Sequence, residues 1–382
     1  MPRQRWAPAS PSVVHDVKIF LCGDVMTGRG IDQILPHPGS AQIHEPFMRS
    51  AQGYVELAEE SSGPIARPVG FEYIWGDALD VLAREDPDAR IVNLETAITV
   101  SNEAWPGKGI HYRMHPDNAG CLTAARVDCC SLANNHVLDW GYPGLLSTLA
   151  ALRAAGIHAA GAGPTEAAAA APAILELGRG SRILVFALAS QTAGVPREWA
   201  AADDRPGVNL LRDLSPEAAA AVGRQVEAVK RPGDVVVVSL HWGPNWGYEV
   251  TPTRREFAHR LVDDAHVDIV HGHSSHHPIG IEVHRDRLIV YGCGDFINDY
   301  EGIRGYDTYR PDLTAAYFAT LDATTGRLQA LELAPMRIRG LHLNRASAAE
   351  AGSLARALTE AGRGLGTEIA VADDLRLRVR WR

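Results

Sequence analysis

An α/β fold is predicted for this chain of 382 residues by three observations. Short apolar runs of strand character alternate with segments that carry helix signals along most of its length. Several of these runs are continuously apolar, as strands buried on both faces are. Polar residues able to do chemistry recur just past the ends of the runs, where open α/β sheets place their ligands.

Residues 17–22 read as a buried strand that runs into Gly23-Asp24-Val25-Met26-Thr27-Gly28-Arg29-Gly30. Taken alone, a carboxylate between glycines there is more often an ordinary turn residue than a site. Residues 31–70 lack clear periodicity and contain Pro36, Pro38, Pro46, Pro64 and Pro68. So long an excursion is expected to be a lid-like insertion over a site, because ordinary connections run to ~4–6 residues. Helix signals cover residues 71–84, and residues 89–97 read as a second strand with Asn93 and Glu95 on one face. A helix around residues 116–126 leads to a strand at 127–133, which delivers Asn134-Asn135-His136-Val137-Leu138-Asp139-Trp140-Gly141. In the next helix Pro143 suits the first turn, Leu145, Leu149 and Leu152 form a stripe, and Gly156 closes the end.

The Ala-rich residues 166–171 are expected to form a short helix without a functional role. Residues 173–177 and 182–187 read as paired strands, and Ser215-Pro216-Glu217 opens a helix with a good N-cap. The apolar strand at 234–240 ends on His241-Trp242-Gly243, and Thr253-Arg254-Arg255-Glu256 has capping-box spacing for a helix ending near His266. Strands follow at 267–270, 287–291, 315–321 and 327–335, and Ser347-Ala348-Ala349-Glu350 caps a terminal helix. The expected organisation is a flexible segment at 1–16, one domain at 17–340 that includes the 31–70 insertion, and a helical extension at 341–382.

A hydrophobic fraction of 46% suffices for a buried core, and a formal net charge of -9 offers no basic field for nucleic acid. The cysteines number five, Cys22, Cys121, Cys129, Cys130 and Cys293, which suggests reduced core thiols rather than a disulfide framework. No run approaches the ~20 apolar residues of a membrane span, and the basic N-terminus has no apolar signal region, so a cytoplasmic protein is expected.

The stretch His271-Gly272-His273-Ser274-Ser275-His276-His277-Pro278 holds four of the chain's 16 histidines. Alternate residues of an extended chain share a face, so His271 and His273 aim two imidazoles into one small volume. Partner ligands exist: Asp24, Glu95, Asn135 with His136, and His241 also follow strand ends. An Asp, a Glu, an Asn and three His form a plausible ligand set for one or two divalent ions, with Glu95 the natural bridging carboxylate. Manganese, zinc and iron suit such mixed donors.

The order Gly-Asp, Asn-Leu-Glu, Asn-Asn-His-x-x-Asp-x-Gly, His-Trp-Gly and Gly-His-x-x-His-His-Pro resembles the CapA family of poly-γ-glutamate capsule biosynthesis proteins, themselves related to calcineurin-like metallophosphoesterases. The likeness spans roughly residues 17–339. It implies a four-layer α/β/β/α sandwich of two mixed sheets. By the same resemblance Asp24 and His273 hold one metal and Asn135, His241 and His271 the other, with Glu95 in the bridging position. His136 matches a histidine near the leaving group, and Asp139 in the same motif is the second catalytic candidate. Two departures stand out: Met26 occupies a position where phosphoesterases carry a histidine ligand, which weakens the first metal, and Asp295 stands where the family more often has Asn.

A metal-bound water with its pKa lowered towards ~7 would supply hydroxide, and His136 would serve the leaving group. The expected substrate is a small or peptide-like anion, a carboxylate-bearing amide related to poly-γ-glutamate, met by Arg29, Arg304, Arg310, His276 and Asp295. Two alternatives stay open: a phosphoesterase for a small phosphate ester, and a non-catalytic or ligase-associated component of polymer or small-molecule biosynthesis. Neither nucleic acid nor membrane is expected as a partner, and self-association into a homo-oligomer is left open.

Overall fold

Strands that are apolar on both faces must be covered on both, and this chain does so with two mixed sheets. The computed structural model describes residues 16–178 and 181–382. A ten-stranded sheet runs in the order Thr367–Val371, Leu377–Trp381, Leu328–Arg339, Leu313–Asp322, Asp16–Val25, Ala89–Leu94, Cys129–Ser131, His158–Ala160. Asp295–Ile297 adds beside Asp16–Val25, and His342–Arg345 beside Leu328–Arg339. The second sheet has seven strands, with Arg182–Ser190, Val235–His241, Ile269–His273 and Arg287–Val290 as consecutive parallel neighbours.

Side-chain alternation in the seven-stranded sheet shows what covers each face. Val235 and Val237 join the large core shared with the ten-stranded sheet, whereas Val236, Val238 and Leu240 pack with Val222 and Val226 of one helix and Phe257 and Leu261 of another. Those helices are Pro216–Glu227 and Pro252–Asp263. Residues 239, 241, 271 and 273 continue the inward face of their strands, so the site histidines point into the space between the two sheets.

The alternation of elements expected from the sequence is present, including the Ala173–Glu176 and Arg182–Ser190 antiparallel pair and the short Glu166–Ala170 helix. Three expectations need correction. Residues 31–70 are not free of regular structure: helices Gly30–Ile34 and Gln52–Ser62 lie within or across their boundary, and Tyr54, Val55 and Ala58 of the second are buried. Its apolar face is only those residues wide, too little for a periodic signal. The cap of the Pro252–Asp263 helix is Thr251, whose side chain accepts from the Arg254 amide with Pro252 in the first turn, and not Thr253. Residues 341–382 hold the Ala348–Gly362 helix with the capping box of Ser347 and Glu350, but also three strands that extend the large sheet. The expectation for residues 1–16 falls outside the described residues except for Asp16, which opens a strand. All five cysteines are free and buried. Among the described residues no helix is long and apolar enough to cross a membrane.

Candidate metal centre

The first half of the site forms where two parallel strands end beside the start of a third. Asp24 is in register with Asn93 on one neighbour and Asp295 on the other. Its carboxylate accepts from Asn93 Nδ2 at 2.7 Å and from the Ser274 amide at 3.2 Å. Gly23 is required immediately before it: a Cβ there would lie 1.6 Å from the Gly294 carbonyl oxygen, which accepts the Asp24 amide at 3.1 Å.

The second half comes from the facing sheet. Ser239 is in register with His271 and His241 with His273, which places a hydroxyl and three imidazoles on one inward face. A Cβ at Gly272, between the two histidines, would meet the Tyr291 and Val290 carbonyl oxygens at 2.5 Å. Nδ1 of His241 is 2.8 Å from Nδ1 of His273, and the latter is 3.9 Å from Asp24 Oδ1.

Ligand atoms of Asp24, His241 and His273 lie within 4.8 Å of one another, and so do those of Asp24, His276 and Asp295. Asp24 belongs to both groups. His276 Nδ1 contacts Asp295 Oδ1 at 2.9 Å, and Asn298 donates to the other Asp295 oxygen at 2.8 Å. Burial, then the nearby Asp295 charge, push the Asp24 carboxyl up to about 7. Glu95 is raised as well, by burial first and then by Asp24 and Asp295. Burial holds His241 and His273 neutral, the form that ligates. For His276 burial alone would lower the pKa, and the Asp295 carboxylate more than offsets it.

This arrangement fits a divalent cation. Three buried carboxylates repel one another, neutral imidazole nitrogens converge on them, and Glu95 Oε2 is buried without a hydrogen-bond partner. Mixed oxygen and imidazole donors suit the borderline divalent metals.

Grouping of the ligands differs from the partition expected from the sequence. His241 stands with Asp24 and His273, and its other nitrogen faces Asn135. His271 has hydrogen-bond partners at both nitrogens, the Cys22 carbonyl 2.7 Å from Nε2 and Ser239 Oγ 3.1 Å from Nδ1. Asn135 lies at the rim, its Oδ1 3.1 Å from His241 Nε2. His276 and Asp295, expected on the substrate side, join Asp24. Met26 is fully buried.

Beside these groups stands a hydrogen-bonded dyad. His136 Nδ1 is 2.6 Å from Asp139 Oδ2, which also accepts the Tyr112 amide at 2.7 Å, while His136 Nε2 lies 3.6 Å from Glu95 Oε1. Lys108 forms an ion pair with the other Asp139 oxygen. Nothing in the sequence marked Lys108, a single lysine in the connection between two short strands. Residues including Glu95, Lys108, Asn135, His136, His241 and His276 line a cavity of about 170 Å³.

The expected arginines do not reach this cavity. Arg29 is buried between Asp299 and Glu45, with Nε 3.1 Å and Nη1 2.8 Å from them, and its guanidinium lies over the Tyr54 ring at 3.8 Å. Arg310 is held by both oxygens of Asp312 and lines a different groove, and Arg304 is exposed.

The strand ends of two mixed sheets thus present an α/β protein with a candidate metal centre and an adjacent His-Asp dyad. A family model described as bacterial capsule synthesis protein PGA_cap matches residues 18–300, and the chain belongs to that family. It is similar to a probable polyglutamine synthesis accessory protein of Mycobacterium tuberculosis, with 47% identity over 364 residues covering 95% of this chain and 96% of the relative. It is also similar to the PGA biosynthesis protein CapA of Bacillus subtilis, with 26% identity over 287 residues covering 75% and 64%. Among solved structures, one described as a novel phosphatase of Mycoplasma pneumoniae superposes with a TM-score of 0.46 at 11% identity, covering 85% of this chain and 95% of that one.

Proposed function

We propose that the protein is a metal-dependent hydrolase acting on a carboxylate-bearing amide or peptide related to poly-γ-glutamate. The observation that carries this reading is the pairing of two overlapping ligand groups with the His136–Asp139 dyad across a single cavity. A binding site needs ligands alone; a proton-transfer dyad beside them serves a reaction. Asp24, His241, His273, His276 and Asp295 would hold one or two divalent ions, with Glu95 adjoining. When bound, such an ion supplies Lewis acidity and makes water acidic enough to react at neutral pH.

The remaining work belongs to the chain's own side chains. Asp139 accepts from Nδ1 of His136 and thereby leaves Nε2 towards Glu95 and the cavity, where it can exchange a proton with a leaving group. Ser239 and Asn93 orient ligands from behind, as second partners of metal-binding side chains do. The names of the family and of its relatives refer to capsule, PGA and polyglutamine synthesis, which supports a glutamate-derived amide over a phosphate ester. The test is hydrolysis of a synthetic γ-glutamyl oligomer and of p-nitrophenyl phosphate by protein loaded with manganese, zinc or iron. Cleavage of the oligomer that is abolished by chelator and by His136→Ala supports the reading; metal-dependent cleavage of the phosphate ester alone selects the phosphoesterase; no turnover with any metal removes both.

A further inference from the structure

We propose that Lys108 is the anion anchor of this cavity, receiving a negatively charged group of the substrate beside His136. The inference rests on the cavity being the substrate site and adds the group that recognises charge there. Among the described residues lining the cavity, Lys108 is the single lysine or arginine. Its neighbours in the lining and just behind it, Glu95, Asp24 and Asp295, are acidic and belong with the candidate ligands, so an anion entering the cavity meets a lysine or arginine only at Lys108, whose pKa burial lowers from the ordinary lysine value while the Asp139 carboxylate works against that shift.

The geometry holds the ammonium in place without saturating it. Its side chain is 15% exposed and is fixed by the ion pair with Asp139 Oδ1. His136 Nδ1 is 3.0 Å away but already faces Asp139 Oδ2 at 2.6 Å, so its proton points to the carboxylate and it is no acceptor for the lysine. An ammonium carries three donors; one is used on Asp139, and the Trp199 ring, 5.3 Å from Nζ, covers part of the far side. A carboxylate or a phosphoryl group can take the remaining donors, and charge-assisted bonds in a partly desolvated cavity are strong. The three expected arginines cannot substitute, since Arg29 and Arg310 are each clamped by carboxylates and Arg304 lies on the surface.

The experiment is calorimetric titration of metal-loaded protein with glutarate and with inorganic phosphate, comparing wild type, Lys108→Met and Lys108→Arg. Lys108→Met keeps length and volume and is expected to weaken binding of at least one anion ~10-fold or more, with unchanged metal content and a lower melting temperature because buried Asp139 loses its cation, while Lys108→Arg retains most of the affinity and the stability. Loss confined to glutarate identifies a carboxylate as the anchored group, and loss confined to phosphate a phosphoryl group. Wild type that binds neither anion, or a methionine variant that binds both normally, overturns the proposal. Should the methionine variant fold poorly, Lys108→Gln carries the same comparison. A wild type that binds glutarate through Lys108 yet hydrolyses nothing defeats the hydrolase reading and leaves the anchor intact.

Discussion

His241 and His273 stand at matched register on neighbouring parallel strands, and their Nδ1 atoms approach to 2.8 Å. Two neutral imidazoles can satisfy that contact with a single proton, whereas a cation would use both lone pairs. Asp24 faces this pair and also the His276 and Asp295 group. Replacing Asp24 by alanine should therefore deplete both ligand groups, while His241→Ala and His276→Ala should each deplete one. Metal per chain, measured by mass spectrometry after gel filtration, checks this; equal depletion in all three variants would count against two overlapping groups.

Ser239 Oγ lies 2.8 Å from His273 Nε2 and 3.1 Å from His271 Nδ1. It sets the tautomer and ring angle of His273 from behind, and loss of such a partner typically lowers metal affinity ~10–100-fold. Ser239→Ala should show that loss in a chelator competition while keeping the melting temperature near wild type. Unaltered affinity would mean that the hydroxyl only fills space.

Arg29 was expected at the substrate, yet the structure makes it a structural ion. Removing it leaves Asp299 and Glu45 buried at 0% exposure with no guanidinium between them, and breaking a buried pair costs about 3–5 kcal/mol. Arg29→Met should shift urea unfolding by that order, whereas exposed Arg304→Ala should stay within ~0.5 kcal/mol of wild type. Full stability of Arg29→Met would show the clamp to be dispensable.

Glu282 supplies a pH test away from the metal groups. Burial alone would raise its pKa, but hydrogen bonds from Arg255 and from the Tyr291 hydroxyl lower it overall. A carboxylate depressed in the folded state contributes stability above its unfolded value of ~4.3 and loses it as pH falls through the lower folded value. Wild type should therefore exceed Glu282→Gln in urea midpoint at pH 7, with the gap closing below about pH 4. A gap that persists at pH 3 would mean that the carboxylate's charge is not what stabilises.

Much of the site was legible in the chain because α/β sheets export chemistry to strand ends. Asp24, Glu95, His136, His241 and His273 could all be placed by reading where an apolar run stops, and the Ser347–Glu350 capping box and the Ser215 cap follow from local spacing alone. Which ligands meet could not be read in this way. His271 and His273 are equivalent in sequence, two residues apart on one face, yet only the packing of the other sheet places the Cys22 carbonyl 2.7 Å from His271. Asp295 reaches Asp24 because a third parallel strand docks beside it, and His276 because the segment after the Ile269–His273 strand of the facing sheet meets that strand. Lys108 and Arg29 exchange their expected importance for the same reason: a charged side chain's role depends on which carboxylates the fold brings within a few ångströms. Local periodicity determined the elements and the edge of the sheet where the site lies. Contacts between separate elements decided its membership, because only their packing sets those distances.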